Sequence, residues 1–546
     1  MRTAPVANGG SLTPLPSPRS VPGPTLARAA LGVSGWNALS RLSGFVRVLA
    51  VGGAVGTTFL GNTYQSANLV STVIFELLAA GLLSAPLVPA FVKLLDADRV
   101  DEAEGLAGSL LGVALVGLGG LALLLAGGGQ LVMRVLTVGV ADPAVRDAEV
   151  RLGAFLLWFF LPQMLLYAAG AVATALLNAQ RRFAAAAFAP LVNNLVVVAT
   201  MAAFVVVRRG EPPTLELEVV PRLVLAVGTT AGVLAMTVVP LVALARTGLT
   251  LRPRFSFSDP SFRAVAREGR WVAAVLAGAQ VLIGVTLVLS NQVPGGVVAY
   301  QIAFTFFLLP FALIAHPVLT VLHPRLSTHA AAEQWDDFTA DVADAVRRVL
   351  LVVIPAGAVL AVLGGPALRL ARFGALDGRG AELVARVLAA YALGLGGYAV
   401  FQLLARASTA AGNARLPALV GLGVAGVGAL LMVAASALVS GSDQVVVLGL
   451  VHSLVVTAGA AGLFALLRRR LGRPLHVGAT LARAVALAAA AGVVALVGVR
   501  LFDIGGRLGA AVDLAVAGPA AGVTAGALFL LFRRADSASP AELENP

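Results

Sequence analysis

The sequence predicts an all-α polytopic membrane protein of about 14 transmembrane helices: two six-helix lobes followed by a two-helix C-terminal extension. Three observations lead there. The 546 residues are 59% hydrophobic and only 12% charged, whereas soluble domains are roughly half apolar and a quarter charged. The apolar residues come in long blocks rather than the alternating ten-residue segments of a β-barrel. Most arginines sit in short connections between those blocks, so the net charge of +12 is a topology signal and does not indicate nucleic-acid binding.

Taken in order, residues 1–25 hold six prolines with Gly and Ser interleaved and no apolar core, which predicts a disordered cytoplasmic tail without the apolar stretch of a signal peptide. The first lobe, 26–250, has apolar blocks near 27–55, 61–94, 105–137, 144–178, 184–207 and 221–246. The second, 251–472, has blocks near 263–291, 296–327, 336–365, 380–411, 415–440 and 444–470. Blocks at 475–502 and 507–533 form the extension over 473–534, and 535–546 is a C-terminal tail. At about 1.5 Å per residue, each block is long enough to cross a hydrocarbon core of about 30 Å.

Connections assigned to one side carry Lys93, Arg99, Arg181, Arg182, Arg252, Arg254, Arg263, Arg267, Arg325, Arg415, Arg468 to Arg470, Arg533 and Arg534. On the other side, 52–62, 291–299 and 440–443 hold no basic residue, and Arg208 with Arg209 is the exception. The positive-inside bias therefore predicts both termini in the cytoplasm, in keeping with an even helix count.

An internal repeat accompanies this order. Tyr64-Gln65-Ser66-Ala67 returns as Tyr300-Gln301-Ile302-Ala303, an offset of 236 (300 − 64), and Asn178-Ala179 returns as Asn413-Ala414, an offset of 235 (413 − 178). Six helices per lobe give both lobes the same orientation, related by an axis along the membrane normal, with a path for cargo between them.

The candidate site lies in the first two blocks. Arg41 and Arg47 stand inside the first, and Asn68 and Glu76 inside the second. Charge at membrane depth costs about 2.5–3.5 kcal/mol per residue on insertion scales, which marks these positions as functional candidates. The two arginines are separated by about 9 Å of helix rise and about 120° of rotation, so their long side chains can converge on one cavity. Guanidinium groups suit phosphate oxygens through planar bidentate hydrogen bonds. For Arg47 the competing role is snorkelling to the interface. For Glu76 three roles stand open: an ion pair with an arginine, a proton-coupling site, or a static lock between two helices. Asn68 shares a polar seam with Glu76, and Asn193 and Asn194 read as interhelical hydrogen-bonding groups.

Other signals are weaker. His316 and His323 lie on one helical face without a nearby carboxylate and read as packed polar groups, not metal ligands. Asp96-Ala97-Asp98 matches a DxD spacing, but no sizeable extramembrane domain is present to hold a nucleotide sugar. No P-loop occurs, and the absence of cysteine removes disulfides and thiolate chemistry. No cofactor or metal is expected.

The segment Ser40-Arg41-Leu42-Ser43-Gly44-Phe45-Val46-Arg47, the following Gly81, Ser84 and Pro89, the segment ALLNAQRRFAAAAFAP at 175–190, the stretch from Pro310 to Ser327 and ARASTAAGNARLP at 405–417 resemble the MurJ/MviN family of lipid II flippases. That family belongs to the multidrug/oligosaccharidyl-lipid/polysaccharide exporter superfamily. The resemblance covers nearly all of 27–470. It implies alternating access between two lobes in the bacterial cytoplasmic membrane, an undecaprenyl-diphosphate-linked glycan as cargo, cell-wall synthesis enzymes and membrane lipids as partners, and a diphosphate-binding role for Arg41 and Arg47.

The chain departs from the family pattern at three places. Asn62 replaces an Asp near the start of the second helix, Phe75 and Glu76 replace an Arg pair in its middle, and Thr305 stands where a basic residue is expected before Pro310. Asn62 and Thr305 are thereby expected as polar residues of the cavity. Another lipid-linked glycan, a cationic amphiphile paired with Glu76, and a transport-inactive envelope scaffold are the alternatives that these departures leave.

Overall fold

The computed structural model describes residues 23–77, 87–255, 260–473, 475–501 and 506–538. Of the tail expected over 1–25, residues 1–22 lie outside that set, as do Gly81, Ser84 and the last eight residues, while 23–25 begin the first helix. No strand occurs among the described residues. The chain runs as α1 (Gly23–Val55), α2 (Phe59–Phe75), α3 (Leu87–Asp96), α4 (Val100–Gly127), α5 (Gly129–Leu136), α6 (Pro143–Phe160), α7 (Gln163–Ala179), α8 (Ala184–Val207) and α9 (Val219–Ala245). It continues through α10 (Pro260–Ser290), α11 (Gly296–Pro310), a π-helical turn (Phe311–Ala315), α12 (His316–Ala331), α13 (Trp335–Ala371), α14 (Gly378–Ala392) and α15 (Leu395–Ala410). The last four are α16 (Arg415–Ser436), α17 (Asp443–Leu471), α18 (Gly478–Leu501) and α19 (Gly506–Ala538).

Among the described residues, 10 spans are long and apolar enough to cross a membrane, or 11 when α14 and α15, bent by 49°, count as one. The apolar blocks of the sequence are therefore helices, but several are broken where a single rod was expected. Two of the interruptions have a local cause in proline. Pro162 follows α6 and cannot donate to the helix ladder. Pro310 precedes the π turn for the same reason.

Carbonyls freed by such breaks must find donors inside the protein, because lipid supplies none. Thr230 of α9 donates to Phe159 O at 2.9 Å. At the α14–α15 bend, Ser453 Oγ of α17 lies 2.7 Å from Ala390 O and 3.1 Å from Tyr391 O. Gly394 permits this approach, since a Cβ there would lie 2.6 Å from Ser453 Cα.

Buried apolar side chains gather in two main clusters. One is built on α2 to α9, including Tyr64, Phe91, Phe160 and Phe204, and the other on α11 to α15 and α17, including Phe307, Phe338 and Tyr391. Helices α18 and α19 attach to α13 through small residues such as Ala491, Ala495, Ala517 and Ala521. Asp513 of α19, 2% exposed, is tied to Arg369 of α13 at 2.8 Å.

The two halves meet at one end of the bundle. Asn62 Nδ2 of α2 donates to Val293 O at 2.8 Å, and its Oδ1 accepts from Val297 N at 3.0 Å. One turn on, Ser66 and Asn291 exchange contacts at 2.9 and 3.2 Å. Ala375 N donates to Gly53 O at 2.6 Å. Gly295 has φ +70°, and a Cβ there would lie 2.3 Å from the Thr57 carbonyl carbon, so only glycine fits this seam. Arg208 joins the same end by donating to Ala54 O at 3.3 Å and lying over the Phe204 ring. That contact gives the exceptional basic residue a structural use. Thr58, Asp142 and Asp377 cap the helices that start here.

Candidate substrate cavity

Immediately beside this seam lies a cavity of about 290 Å³ lined by α1, α2, α7, α8, α9 and α11. Its polar lining comprises Arg47, Tyr64, Gln65, Asn68, Thr72, Glu76, Tyr167, Thr229 and Gln301. The wall supplied by α2 follows from helical spacing: Gln65, Asn68, Thr72 and Glu76 recur at three- and four-residue steps on one face. Tyr64 is 1% exposed and shares a 2.8 Å hydrogen bond with Thr229, which fixes α2 against α9. Gln301 is the contribution of the second half of the chain.

Three residues singled out from the sequence thus come together here: Arg47, Asn68 and Glu76. Arg47 is half-buried and stands near the Tyr64 and Tyr167 hydroxyls, on which its charge acts. It points into the protein and does not snorkel away from it. Among the described residues Glu76 forms no ion pair, so the static-lock role is not realised in this structure although both charges line one cavity.

Two expected cavity residues are placed elsewhere. Asn62 is fully buried, with its amide spent on the backbone of Val293 and Val297 at the seam. Thr305 turns its hydroxyl onto Gln301 O of its own helix at 2.8 Å, a common choice for threonine at membrane depth. Neither lines the cavity. Arg41 is exposed on α1, about 9 Å of rise from Arg47. It is not among the residues that line the cavity. Asn194 bonds Ser43 Oγ at 2.9 Å and Ser40 O at 3.2 Å, the interhelical role read from the sequence, while Asn193 Oδ1 has no protein partner among the described residues.

Tyr64, Gln65, Tyr167, Thr229 and Gln301 were not singled out as site residues. The signal for three of them was present, because the repeated pair Tyr64-Gln65 and Tyr300-Gln301 brings both glutamines to one cavity. A second, apolar groove of about 680 Å³ runs between α11, α13, α18 and α19, bordered by Phe306, Pro310, Val359, Leu363, Ala521 and Phe529.

Two helical halves joined along a seam, with a polar cavity beside it and an apolar groove elsewhere in a bundle of long apolar helices, are the features of a multi-span membrane transporter. A family model described as lipid II flippase MurJ matches residues 52–508. The chain belongs to the lipid II flippase MurJ family.

Curated relatives agree. A probable lipid II flippase MurJ from Rhizobium tropici is 25% identical over 383 residues, covering 70% of each chain. The lipid II flippase MurJ of Burkholderia cenocepacia is 24% identical over 406 residues, covering 73% of this chain and 76% of its own.

Among solved structures, a lipid II flippase MurJ in an inward closed conformation superposes with TM-score 0.72 at 18% identity, covering 92% of this chain and 98% of that one. An inward-facing multidrug resistance MATE family transporter gives TM-score 0.65 at 11% identity, covering 81% and 98%. At these identities the superpositions establish the fold.

Proposed function

We propose that the protein carries an undecaprenyl-diphosphate-linked peptidoglycan precursor across the bacterial cytoplasmic membrane by alternating access. The single observation that carries the mechanism is Arg47, a half-buried cation in a cavity bounded by both halves of the chain. A diphosphate offers the planar oxygen pairs that a guanidinium grips bidentately. Family membership over 52–508 supports the cargo class.

In this reading, residues 26–250 and 251–472 are the two lobes, and both termini face the cytoplasm. The seam at Asn62, Ser66 and Asn291 is then the outer gate in its closed form. Arg41, exposed on the opposite stretch of α1, meets the headgroup first and Arg47 receives it deeper in. Asn68 and the paired glutamines Gln65 and Gln301 hydrogen-bond the sugar or phosphate oxygens. The apolar groove along α18 and α19 accommodates the polyprenyl chain, which gains about 0.8 kcal/mol per buried methylene only while it stays in an apolar surround. The lobes supply binding and motion and no covalent step. Enzymes that consume the delivered precursor are the proposed partners.

Complementation in cells depleted of their own lipid II flippase tests the proposal. Rescue by the intact chain, lost with Arg47→Ala at equal membrane abundance, is the expected result. A chain that inserts normally and never rescues is not such a flippase.

A further inference from the structure

One ionisable side chain is wholly buried and belongs neither to the cavity nor to the seam. Glu149, on the second turn of α6, is 0% exposed. Its Oε1 lies 3.1 Å from Thr63 Oγ1, and its Oε2 has no protein partner among the described residues. The Thr63 hydroxyl also lies 2.9 Å from Phe59 O. A hydroxyl has one proton to give, and here it faces two acceptors. Both contacts are satisfied at once if Thr63 donates to Phe59 O and Glu149, itself protonated, donates to Thr63 Oγ1.

The surroundings give a carboxylate nothing in place of water. The helices packed against α6 are α2, α5, α9, α4 and α7. Their titratable or charged groups are Tyr64 on α2 and Glu76 at its C-terminal cap, Arg134 on α5, Arg222 on α9, Tyr167 on α7, and Asp101, Glu102 and Glu104 at the start of α4. On α6 itself stand Arg146, Asp147 and Arg151. None forms an ion pair or hydrogen bond with Glu149, and Arg222 is instead held over the Phe155 ring at 4.5 Å. A buried charge with neither a cation nor a set of donors is strongly disfavoured against its neutral form.

We propose that Glu149 is a proton-binding site whose occupancy sets the packing of α2 on α6 and thereby the state of the seam. Its one partner, Thr63, lies between Asn62, which clasps Val293 and Val297, and Tyr64, which lines the cavity. Loss of the proton leaves a bare carboxylate against α2. Relief comes from drawing water or a donor into the α2–α6 contact, and that movement acts on the segment that holds the two halves together. The inference does not depend on the identity of the cargo.

The test uses the full chain without cargo in lipid vesicles. Because the chain has no cysteine, Val138→Cys and Leu438→Cys, both at exposed positions in connections at the seam end, accept a pair of spin labels. With Glu149 native, the label separation is expected to lengthen as pH rises. With Glu149→Gln, which is neutral and nearly isosteric, it is expected to keep its low-pH value throughout. Infrared difference spectra of the same samples should show a protonated-carboxyl band that titrates in the native protein and is missing in Glu149→Gln. A pH-independent separation in the native protein, an equal pH response in Glu149→Gln, or a titrating band that survives the substitution overturns the proposal.

Discussion

Gln65 of α2 and Gln301 of α11 face the same cavity from opposite halves of the chain, at equivalent positions of the sequence repeat. The cavity is therefore built where the two repeats present the same helix to each other. Its charge is not repeated: Arg47 and Glu76 both come from the first half. Cargo recognition should accordingly be concentrated on α1 and α2.

For Arg47 the expectation is that Arg47→Ala lowers flipping of a lipid-linked diphosphate in vesicles at least tenfold, since a charge-assisted bond contributes about 1.5–3 kcal/mol. Arg47→Lys keeps the charge without the planar fork and should recover only part of the rate. A fluorescent-lipid protection assay on both variants reads the ordering directly. Equal rates for Ala and Arg would remove the diphosphate role.

Asn62 satisfies one backbone acceptor and one backbone donor across the seam. Asn62→Ala leaves Val297 N without its acceptor and Val293 O with only the Gly296 amide at 2.9 Å, a loss of about 1–3 kcal/mol. The substitution should lower the thermal midpoint in detergent and lengthen the separation between labels at 138 and 438. A variant with the native midpoint and separation would show that the clasp contributes nothing.

Gly295 tests the seam by shape. Gly295→Ala strains a left-handed backbone by about 1–2 kcal/mol and drives a Cβ to 2.3 Å from the Thr57 carbonyl carbon. Because the obstacle is backbone, Thr57→Gly should not rescue the variant. The expected signature is a lengthened label separation at all pH values, in contrast to the native pH dependence.

The α14–α15 bend yields a ranking. Ser453→Ala removes the hydroxyl donor shared by Ala390 O and Tyr391 O, of which Tyr391 O keeps the Gly394 amide, at about 1 kcal/mol. Gly394→Ala forces a Cβ to 2.6 Å from Ser453 Cα and should cost more, about 1–3 kcal/mol. Thermal unfolding of the two variants should fall in that order, and the reverse order would mean that the bend opens freely.

Much of the fold was legible because membrane depth leaves few options: long apolar blocks must be helices, and they are. The breaks at Pro162 and Gly394 were not, because a block looks continuous when the residues that satisfy its freed carbonyls, Thr230 and Ser453, lie tens of positions away. The site was half legible. Arg47, Asn68 and Glu76 were visible as polar groups in apolar helices, and they meet in one cavity. Asn62 and Thr305 looked equivalent to them, yet one bonds across the seam and the other to its own helix. Nothing local distinguishes a polar side chain that faces a cavity from one that finds a backbone partner. Glu149 escaped notice because Arg146, Asp147 and Arg151 surround it in sequence, giving the look of a solvated helix start.

The clasp at the seam consists of Asn62, Ser66, Asn291 and main-chain amides, with no ionised side chain among them. Breaking these contacts in itself moves no ionised group of the clasp through the transmembrane field, which acts at about 2.3 kcal/mol per elementary charge per 100 mV. The clasp itself is electrically silent, although Arg208 stands at the same end. Voltage does work on this protein through charged side chains such as Arg47, Arg208 and an ionised Glu149, or through the cargo's own diphosphate, so a voltage-dependent parting of the halves would point to those groups and not to the clasp.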